Sequence, residues 1–326
     1  GEGNFLRAFV DYMIDILNEK CDFNGNIVVV KPINFGDSSS FDEQNSLYTV
    51  LLRGLVDGET KSEARVIDSI EKVISCYDNY NEYADYAKCD TLRYIVSNTT
   101  EAGIVLKEDD KLSMCPPESY PAKLTKFLYE RYKHFNGDEN KGVVVLPVEL
   151  IDDNGIELKK IVLKLTEIWG LESDFITWLD DACIFTSTLV DRIVTGYPFD
   201  EDERIWNDLG YIDKIMVTGE PFGLWVIESE KDLSDELNFK KAELPVIFTD
   251  NQKPYKQRKV RILNGAHTSF VLAAYLAGYD YVGEALEDKD VMAFMRKVIY
   301  DEVIPTLELP LDDLMNFANS VIDRFL

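Results

Sequence analysis

The chain has 326 residues, 46% of them hydrophobic, so it is long enough to fold into a globular protein of about two domains. Its 34 basic and 60 acidic residues give a net charge of −26, which argues against nucleic acid or an anionic membrane as a partner, because both attract basic surfaces. The sequence contains neither an apolar run of about 18 residues that could cross a membrane nor an export signal, and we expect a cytoplasmic protein.

The first hundred residues alternate between helical and strand patterns. A glycine turn, GEGNF, leads into an amphipathic helix, LRAFVDYMIDILNEK, and then into a short strand, NIVVVKPI. Further strands are predicted at SLYTVLLRG, ARVIDSI and RYIVSNTT, and a helix at EYADYAKC. A βαβ unit needs a strand before its glycine turn, so we expect one to precede Gly1 in the complete domain.

The middle of the chain continues this alternation. A helix is predicted at PAKLTKFLYERYKHF, a strand at GVVVLPVEL, and two more helices at GIELKKIVLKLTEIWG and SDFITWLDDA. The block from 185 to 228 is predicted to be rich in strands, and ELPVIFTD adds one more. Such alternation indicates an α/β fold with a mostly parallel sheet that helices cover on both faces.

The pattern changes after Pro254, where only long helical stretches follow: RKVRILNGAHTSFVLAAYLAGY, DKDVMAFMRKVIYDEVIPTL and LDDLMNFANSVIDRFL. We therefore predict an α/β domain over residues 1–252 and an all-helical domain from residue 253 to 326. Because the last helix runs to the final residue without a cap, we expect 253–326 to be part of a longer helical domain.

Cysteine and histidine are scarce. The five cysteines are odd in number and form no CxxC pair, which favours free thiols in a reducing compartment over disulfides or a zinc knuckle. Only His134 and His267 are present, so a Ser-His-Asp hydrolase would have to use one of these two. A histidine-rich zinc site cannot be built, and we predict no metal site.

The glycine turn is a candidate cofactor site, formed by Gly1, Gly3, Asn4 and Phe5. Two glycines before a helix let backbone N–H groups approach a pyrophosphate, and the helix N-terminus favours that anion. The alternative is a plain turn, since the third glycine of the dinucleotide fingerprint is absent. Lys31 and Pro32 stand where an acid would bind a ribose, so the choice between NAD and NADP stays open.

A second candidate for cofactor binding is the polar segment after the strand RYIVS, which contains Asn98, Thr99, Thr100 and Glu101. Polar residues at the carboxyl end of a parallel strand line the ligand crevice of an open α/β sheet. The alternative is an ordinary loop between a strand and a helix, with a threonine as the helix N-cap.

The spacing Lys259-x4-Asn264-x2-His267 is the sharpest chemical pattern. At about 100° per residue, the three side chains fall within an arc of roughly 140° on one helix. A lysine desolvated in a cleft loses proton affinity, so it can take the hydroxyl proton of an alcohol while hydride leaves the same carbon. Asn264 and His267 can hydrogen-bond the developing oxyanion. The alternative is a solvated basic helix start with His267 in a core, its basic residues being Lys256, Arg258, Lys259 and Arg261.

Asp191 and Arg192 interrupt the apolar run TLVDRIV. Charges in such a run are costly to bury unless they are paired or functional, and we predict that the two residues bind substrate. A structural ion pair at a sheet edge is the alternative. Glu220 and Trp225, in EPFGLWVIE, pose the same question, and there a structural role is favoured.

Five motifs occur in a characteristic order: GEGNFLRAFVD, IVSNTTEAGI, LVDRIVTGYP, EPFGLWVIE and RKVRILNGAHT. Together they resemble the polyol-specific long-chain dehydrogenases and reductases, the family that includes mannitol dehydrogenase. The resemblance covers essentially the whole chain and is greatest to the members that interconvert tagaturonate and altronate. It implies a Rossmann-like domain that binds NAD or NADP, a helical domain for substrate and catalysis, an active site between them, and no metal.

The resemblance also implies roles for individual residues. Lys259 matches the family's catalytic lysine, Asn264 and His267 match its partners at the reacting oxygen, and Asp191 matches the aspartate of the VDRI motif. Gly1 and Gly3 match the glycine turn, and the segment from Thr99 to Gly103 matches a loop of the TVTEKG type. One departure is Leu150, which stands where mannitol dehydrogenases place an oxyanion-binding asparagine, so the oxyanion contacts are expected to be redistributed.

The resulting hypothesis is an NAD-dependent enzyme of hexuronate catabolism that moves hydride to and from C3 of a small sugar acid. Fructuronate, mannitol or a sugar phosphate is the alternative substrate within the same class. The alternative of another class is a non-catalytic nucleotide-binding fragment. A metal-dependent alcohol dehydrogenase is disfavoured by the shortage of ligands, and the sequence leaves the oligomeric state open.

Overall fold

The computed structural model describes residues 1–36, 38–100 and 102–326. Its strands are β1 (Ile27–Lys31), β2 (Tyr48–Val56), β3 (Glu59–Ile67), β4 (Ile70–Ser75), β5 (Tyr94–Ser97), β6 (Val144–Pro147), β7 (Ile184–Phe185), β8 (Ser187–Asp191), β9 (Val194–Gly196), β10 (Val217–Gly219), β11 (Leu224–Glu228) and β12 (Val246–Thr249). After β12 the described chain is helical, as the sequence predicts. The predicted domain boundary at 252/253 falls in the short connection before the next helix, and it stays a prediction.

The α-helices are α1 (Asn4–Leu6), α2 (Tyr12–Cys21), α3 (Ser39–Glu43), α4 (Tyr80–Asp85), α5 (Tyr120–His134), α6 (Asn154–Ile168), α7 (Ser173–Asp181), α8 (Asp202–Leu209), α9 (Lys253–Arg258), α10 (Gly265–Ala277), α11 (Val282–Glu287), α12 (Lys289–Lys297) and α13 (Leu311–Phe325). π-Helical turns occur at Arg7–Asp11, Lys259–Asn264 and Val298–Val303. Over the described ranges, none of these helices is long and apolar enough to cross a membrane.

Five of the eight strand pairings in the described ranges are parallel. The β1–β4 pair and the β5–β6–β7 group are wholly parallel, whereas β3–β2–β10–β9 and β12–β11–β8 mix both directions. Parallel strands connected through helices are expected when helices cover a sheet on both faces. The predicted α/β fold with a mostly parallel sheet and a helical region after it is confirmed.

Two predictions about individual elements were wrong. ARVIDSI is not one strand, because β3 ends at Ile67 and β4 begins at Ile70. The break follows from Asp15, whose buried carboxylate accepts hydrogen bonds from the Asp68 backbone N–H at 3.1 Å and from Arg65 Nε at 2.6 Å. The strand-rich block also contains the unpredicted helix α8, which is mostly polar and buries only Ile205.

Strand β11 lies between two hydrophobic cores. Its residues Trp225 and Ile227 belong to the core beneath the first helix, where the Trp225 ring lies 5.6 Å from that of Phe9. Leu224 and Val226 belong instead to the core of the C-terminal helices. Because successive side chains of a strand point to opposite faces, one strand serves as the wall shared by both halves. Residues near the end of β8, which pairs with β11, therefore lie close to the C-terminal helices.

Asp11 is a buried carboxyl group at the end of the π-helical turn Arg7–Asp11, and it accepts a hydrogen bond from Tyr48 Oη at 3.0 Å. Burial raises the pKa of Asp11 to about 6, although the Tyr48 hydrogen bond opposes part of this effect. Since the pKa of Asp11 is higher in the folded than in the unfolded chain, its contribution to the free energy of unfolding is greatest below about pH 4. That contribution is lost as the pH rises through about 6.

Replacing Asp11 by asparagine is therefore expected to stabilise the protein at neutral pH. The free energy of unfolding should rise by about 2–3 kcal/mol at pH 7.5, because the folded protein no longer holds a buried negative charge. Urea unfolding of Asp11→Asn and of the exposed control Asp109→Asn, at pH 4 and pH 7.5, measures this. A gain of equal size at both pH values would contradict the assignment of the effect to ionisation.

Candidate functional site

Lys259 lies where the helical region meets the end of β8. Its Nζ donates to the Val190 carbonyl oxygen at 2.9 Å and lies 4.0 Å from Asp191 Oδ1. The Lys259 side chain is only 16% exposed. Burial lowers the pKa of the Lys259 amine, and the Asp191 carboxylate opposes part of this change. The structure thus provides a half-buried lysine that is biased toward giving up its proton.

The backbone between Lys259 and Asn264 is π-helical and not α-helical. The Gly265 N–H donates to the carbonyl of Val260, five residues earlier, as π-helical bonding requires. Residues five apart are then neighbours on successive turns, so Lys259 and Asn264 lie closer together around the helix than the α-helical spacing predicted. The π turn brings the amide toward the same side as the amine.

Asn264 and His267 are exposed, and neither side chain forms a hydrogen bond within the described ranges. The His267 ring lies 6.2 Å from the rings of Phe270 and Phe325. The alternative that places His267 inside a core is therefore wrong. Both side chains can hydrogen-bond a ligand that approaches Lys259.

Two other basic residues near Lys259 are paired with acids. Arg258 is 3% exposed and pairs with Asp313 at 2.6 Å, and Lys256 pairs with Asp152. Arg261 is exposed and donates to Thr306. The alternative of a solvated basic helix start is therefore wrong for the buried Arg258 and the half-buried Lys259, whereas Lys256 and Arg261 do reach solvent.

Asp191 is held by an arginine that sequence reasoning missed. Arg324, in the last turn of α13, donates to both Asp191 carboxylate oxygens, at 2.9 and 3.0 Å. Arg324 Nε also donates to Glu220 Oε2 at 2.8 Å, and Glu220 Oε1 accepts the Ile193 backbone N–H at 2.5 Å. Burial raises the pKa of Glu220, although Arg324 opposes that change. The site thus contains a buried network of two carboxylates and two cations.

Arg192, although it follows Asp191 directly, does not join this network. Its guanidinium donates to the backbone carbonyls of Ala8 at 2.7 Å and Phe222 at 2.9 Å, and it packs over the rings of Phe9 and Tyr12. The two predicted substrate-binding residues are therefore separated. Arg192 fastens the first helix to the sheet, and these contacts do not support a role for it in substrate binding.

A cavity of about 650 Å³ lies between β1 and β5, whose facing edges both line it. Within the described ranges β1 pairs with β4 and β5 pairs with β6, so neither strand pairs across the cavity. Apolar side chains make up most of its lining, and Gly1, Asn98 and Thr99 are among the residues that line it. A dinucleotide needs polar partners for its phosphates and riboses, and the predicted cofactor residues Gly1, Asn98 and Thr99 can supply them there.

The predicted glycine turn reaches this cavity through Gly1. Gly3 precedes the first helix without a side-chain cap, and a Cβ added to it would meet nothing within 4 Å. Asn4 accepts a hydrogen bond from Arg7 Nη2 at 2.7 Å, and the Phe5 ring stacks on Phe9 at 4.9 Å. Gly1 and Gly3 thus leave the helix N-terminus open to an anion, whereas Asn4 and Phe5 make contacts within the protein.

The polar segment after β5 is tied to β6 by a second residue that sequence reasoning missed. The buried Glu149 carboxylate accepts hydrogen bonds from Ser97 Oγ at 3.1 Å and from Thr99 N and Oγ1 at 3.0 and 2.9 Å. Thr99 is thereby held by the protein, whereas Asn98 and Thr100 are exposed, Thr100 with φ at +74°. Glu101 lies outside the described residues.

Leu150 is 61% exposed. The nearby Asn154 is fully buried, and its amide donates to three carbonyls, those of Pro147, Glu149 and Thr188. It therefore cannot take over the role of an oxyanion-binding asparagine. Across residues 1–36, 38–100 and 102–326, no group of three or more histidine, cysteine, aspartate or glutamate side chains is placed to hold a metal ion.

Comparison with known proteins assigns the family. Residues 1–241 match the family described as the mannitol dehydrogenase Rossmann domain, and residues 251–326 match the mannitol dehydrogenase C-terminal domain. The chain belongs to the mannitol dehydrogenase family. It is therefore an oxidoreductase that acts on CH–OH groups, a polyol or sugar-acid dehydrogenase, as the order of its motifs predicts.

Both curated relatives and solved structures match over the whole chain. An altronate oxidoreductase of Escherichia coli O7:K1 is 51% identical over 326 residues, which are 100% of this chain and 68% of that protein. A substrate-free D-sorbitol dehydrogenase has a TM-score of 0.82 at 22% identity, covering 100% of this chain and 68% of its own. The Pseudomonas fluorescens mannitol 2-dehydrogenase, in a ternary complex with NAD and D-mannitol, has a TM-score of 0.75 at 23% identity, with 100% and 67% covered.

Proposed function

We propose that the chain is an NAD-dependent enzyme that interconverts tagaturonate and altronate in hexuronate catabolism. The observation that carries this proposal is the 51% identity to an altronate oxidoreductase over every residue of the chain. NAD is the proposed cofactor because the fold is shared with a mannitol 2-dehydrogenase whose complex contains NAD. The half-buried Lys259 at the boundary of the two halves supports the same proposal chemically.

Lys259 is the proposed acid–base. In the oxidation of altronate its neutral amine accepts the proton of the C3 hydroxyl, and in the reduction of tagaturonate its ammonium returns a proton to the C3 oxygen. The nicotinamide cofactor, when bound, would supply the hydride acceptor for the oxidation as NAD and the hydride donor for the reduction as NADH. Burial of Lys259 suits both directions, since it moves the pKa of the amine down toward the working pH.

Asn264 and His267 are proposed to hold the reacting oxygen. Their exposed side chains make no hydrogen bonds within the described ranges, and the π turn places Asn264 one turn from Lys259. Donors aimed at an oxygen that gains negative charge stabilise the transition state more than the ground state. Because the Leu150 side chain has no donor, these two residues carry the oxyanion contacts in this proposal.

The cofactor is proposed to bind at the carboxyl ends of β1 and β5. The uncapped helix start after Gly3 can receive the pyrophosphate, and the exposed Asn98 can hydrogen-bond a ribose. Glu149 holds the backbone of Thr99 and so fixes the loop on which Asn98 stands. Lys31 stands where an acidic residue would bind the ribose of NAD. It is buried and donates to the Gly36 carbonyl, so it does not itself select NAD over NADP.

A substrate panel with purified full-length enzyme tests this proposal. We expect NADH-dependent reduction of tagaturonate with a kcat/KM at least about tenfold above those for fructuronate and fructose, because a site that hydrogen-bonds the groups of one sugar acid leaves polar groups unpaired when an analogue binds. Activity should be unchanged in a chelator. A preference for fructuronate or fructose would move the assignment to another member of the family, and the absence of NADH binding by fluorescence titration at millimolar cofactor would favour a non-catalytic role.

A further inference from the structure

We infer that Arg324 is a positioning residue for Lys259: it holds the Asp191 carboxylate in a two-pronged pair and so keeps that carboxylate from capturing the amine. This inference rests on the proposed role of Lys259 as the acid–base. It gives the last turn of α13 a role in catalysis, although none of the predicted site residues lies in that helix.

The distances around Asp191 support this inference. Arg324 Nη2 and Nη1 lie 2.9 and 3.0 Å from the two carboxylate oxygens, whereas Lys259 Nζ lies 4.0 Å away and donates to the Val190 carbonyl instead. A carboxylate without the arginine would pair with the nearest ammonium, since a charged hydrogen bond of about 2.8 Å is stronger than one to a carbonyl. The arginine therefore decides where the lysine donates.

Arg324 is itself held from the other side. Its Nε donates to Glu220, its guanidinium carbon lies 4.3 Å above the Phe222 ring, and its side chain is only 3% exposed. Glu220 in turn accepts the backbone N–H of Ile193, two residues after Asp191. The planar fork of an arginine matches both carboxylates at once, which the single ammonium of a lysine cannot do.

The charges that act on Lys259 come from two elements. Asp191 at the end of β8 favours the ammonium, and Arg324 of α13 favours the neutral amine. On the helix of Lys259 itself, Arg258 is paired with Asp313, and Lys256 with Asp152. Removing the Arg324 charge takes away a nearby cation and also frees Asp191 to pair with the amine, so both effects raise the pKa of Lys259.

The test compares pH profiles of kcat/KM for altronate oxidation in the full-length enzyme. Arg324→Gln should move the acidic limb upward by about one pH unit, since the neutral amine is then harder to form. Arg324→Lys keeps the charge and should move it by less than half as much. Asp191→Asn should move it in the opposite direction. Arg258→Gln, which removes an equally buried arginine that also pairs with α13, is the matched control and should leave the limb in place.

Opposite shifts in Arg324→Gln and Asp191→Asn would support the inference, whereas a purely structural Arg324 would lower the thermal midpoint and leave the limb unmoved. If Arg324→Gln does not fold, Arg324→Lys and Asp191→Asn decide the matter, and an unmoved limb in both overturns the inference. Lys259→Ala separates the two proposals. If that variant keeps its activity, the acid–base assignment itself fails, whereas an inactive Lys259→Ala with an unmoved limb in the Arg324 variants rejects only the role of Arg324.

Discussion

Lys259→Ala is expected to lower kcat for tagaturonate reduction by about a thousandfold, the range in which a positioned acid–base contributes to catalysis. The fold should survive, because Asp191 keeps its two-pronged pair with Arg324 when the amine is removed. NADH binding should be unchanged, since Lys259 lies at the boundary with the helical region and not at the glycine turn. Initial rates under saturating cofactor, together with the thermal midpoint, measure the effect.

Lys256→Ala is the matched control for this variant. Lys256 lies three residues before Lys259 and pairs with Asp152, so its removal deletes a lysine from the same helical stretch without touching Asp191. We expect its kcat to stay within about twofold of the wild type, as is usual for an exposed ion pair. Near wild-type kcat in Lys259→Ala would reject the lysine as acid–base. Partial recovery of the activity of Lys259→Ala by added primary amines would support the assignment.

Asn154→Ala is expected to lower the free energy of unfolding by about 4 kcal/mol, because several buried polar groups lose their partners at once. The Asn154 amide donates to the carbonyls of Pro147, Glu149 and Thr188 at 3.0–3.1 Å, and its oxygen accepts two backbone N–H groups at 2.9 Å. It thereby joins the end of β6 to β8. Urea denaturation measures the loss.

Two further variants identify the cause of that loss. Asn154→Leu has the same number of side-chain heavy atoms and leaves no cavity, yet it should be destabilised at least as much as Asn154→Ala, since the missing hydrogen bonds and not a cavity are responsible. Asn316→Ala, at an exposed position of α13, should change the free energy of unfolding by less than about 0.5 kcal/mol. A small effect in both Asn154 variants would show that water or a rearranged loop replaces the amide.

Local patterns predicted the secondary structure well where one face of an element is buried. The apolar spacing of PAKLTKFLYERYKHF and GIELKKIVLKLTEIWG corresponds to α5 and α6, and the apolar runs after Asn26 and Gly142 correspond to β1 and β6. Helix α8 was missed because it is only eight residues long and its apolar face consists of three side chains, those of Ile205, Trp206 and Leu209. The break between β3 and β4 was missed because the carboxylate that stabilises it comes from Asp15, far away in sequence.

The candidate site, too, could be predicted only in part from the sequence. The spacing of Lys259, Asn264 and His267 was visible in the sequence because all three lie within nine consecutive residues. Their arrangement was not, since a π turn adds one residue to the turn without a signature in composition. Similarly, the sequence could show that Asp191 and Arg192 interrupt an apolar run, but not that their side chains take different partners.

Residues close together in the chain were enough to predict the alternation of strands and helices, the family motifs and the lysine at their end. The pairing of the buried charges could not be predicted in this way, because it depends on how distant elements pack. Arg324 reaches Asp191 across 133 residues, and Glu149 joins two strands that are neighbours only in the sheet. Burial makes an unpaired charge costly, so the sequence reveals that a partner must exist, but the packing of α13 against β8 selects that partner.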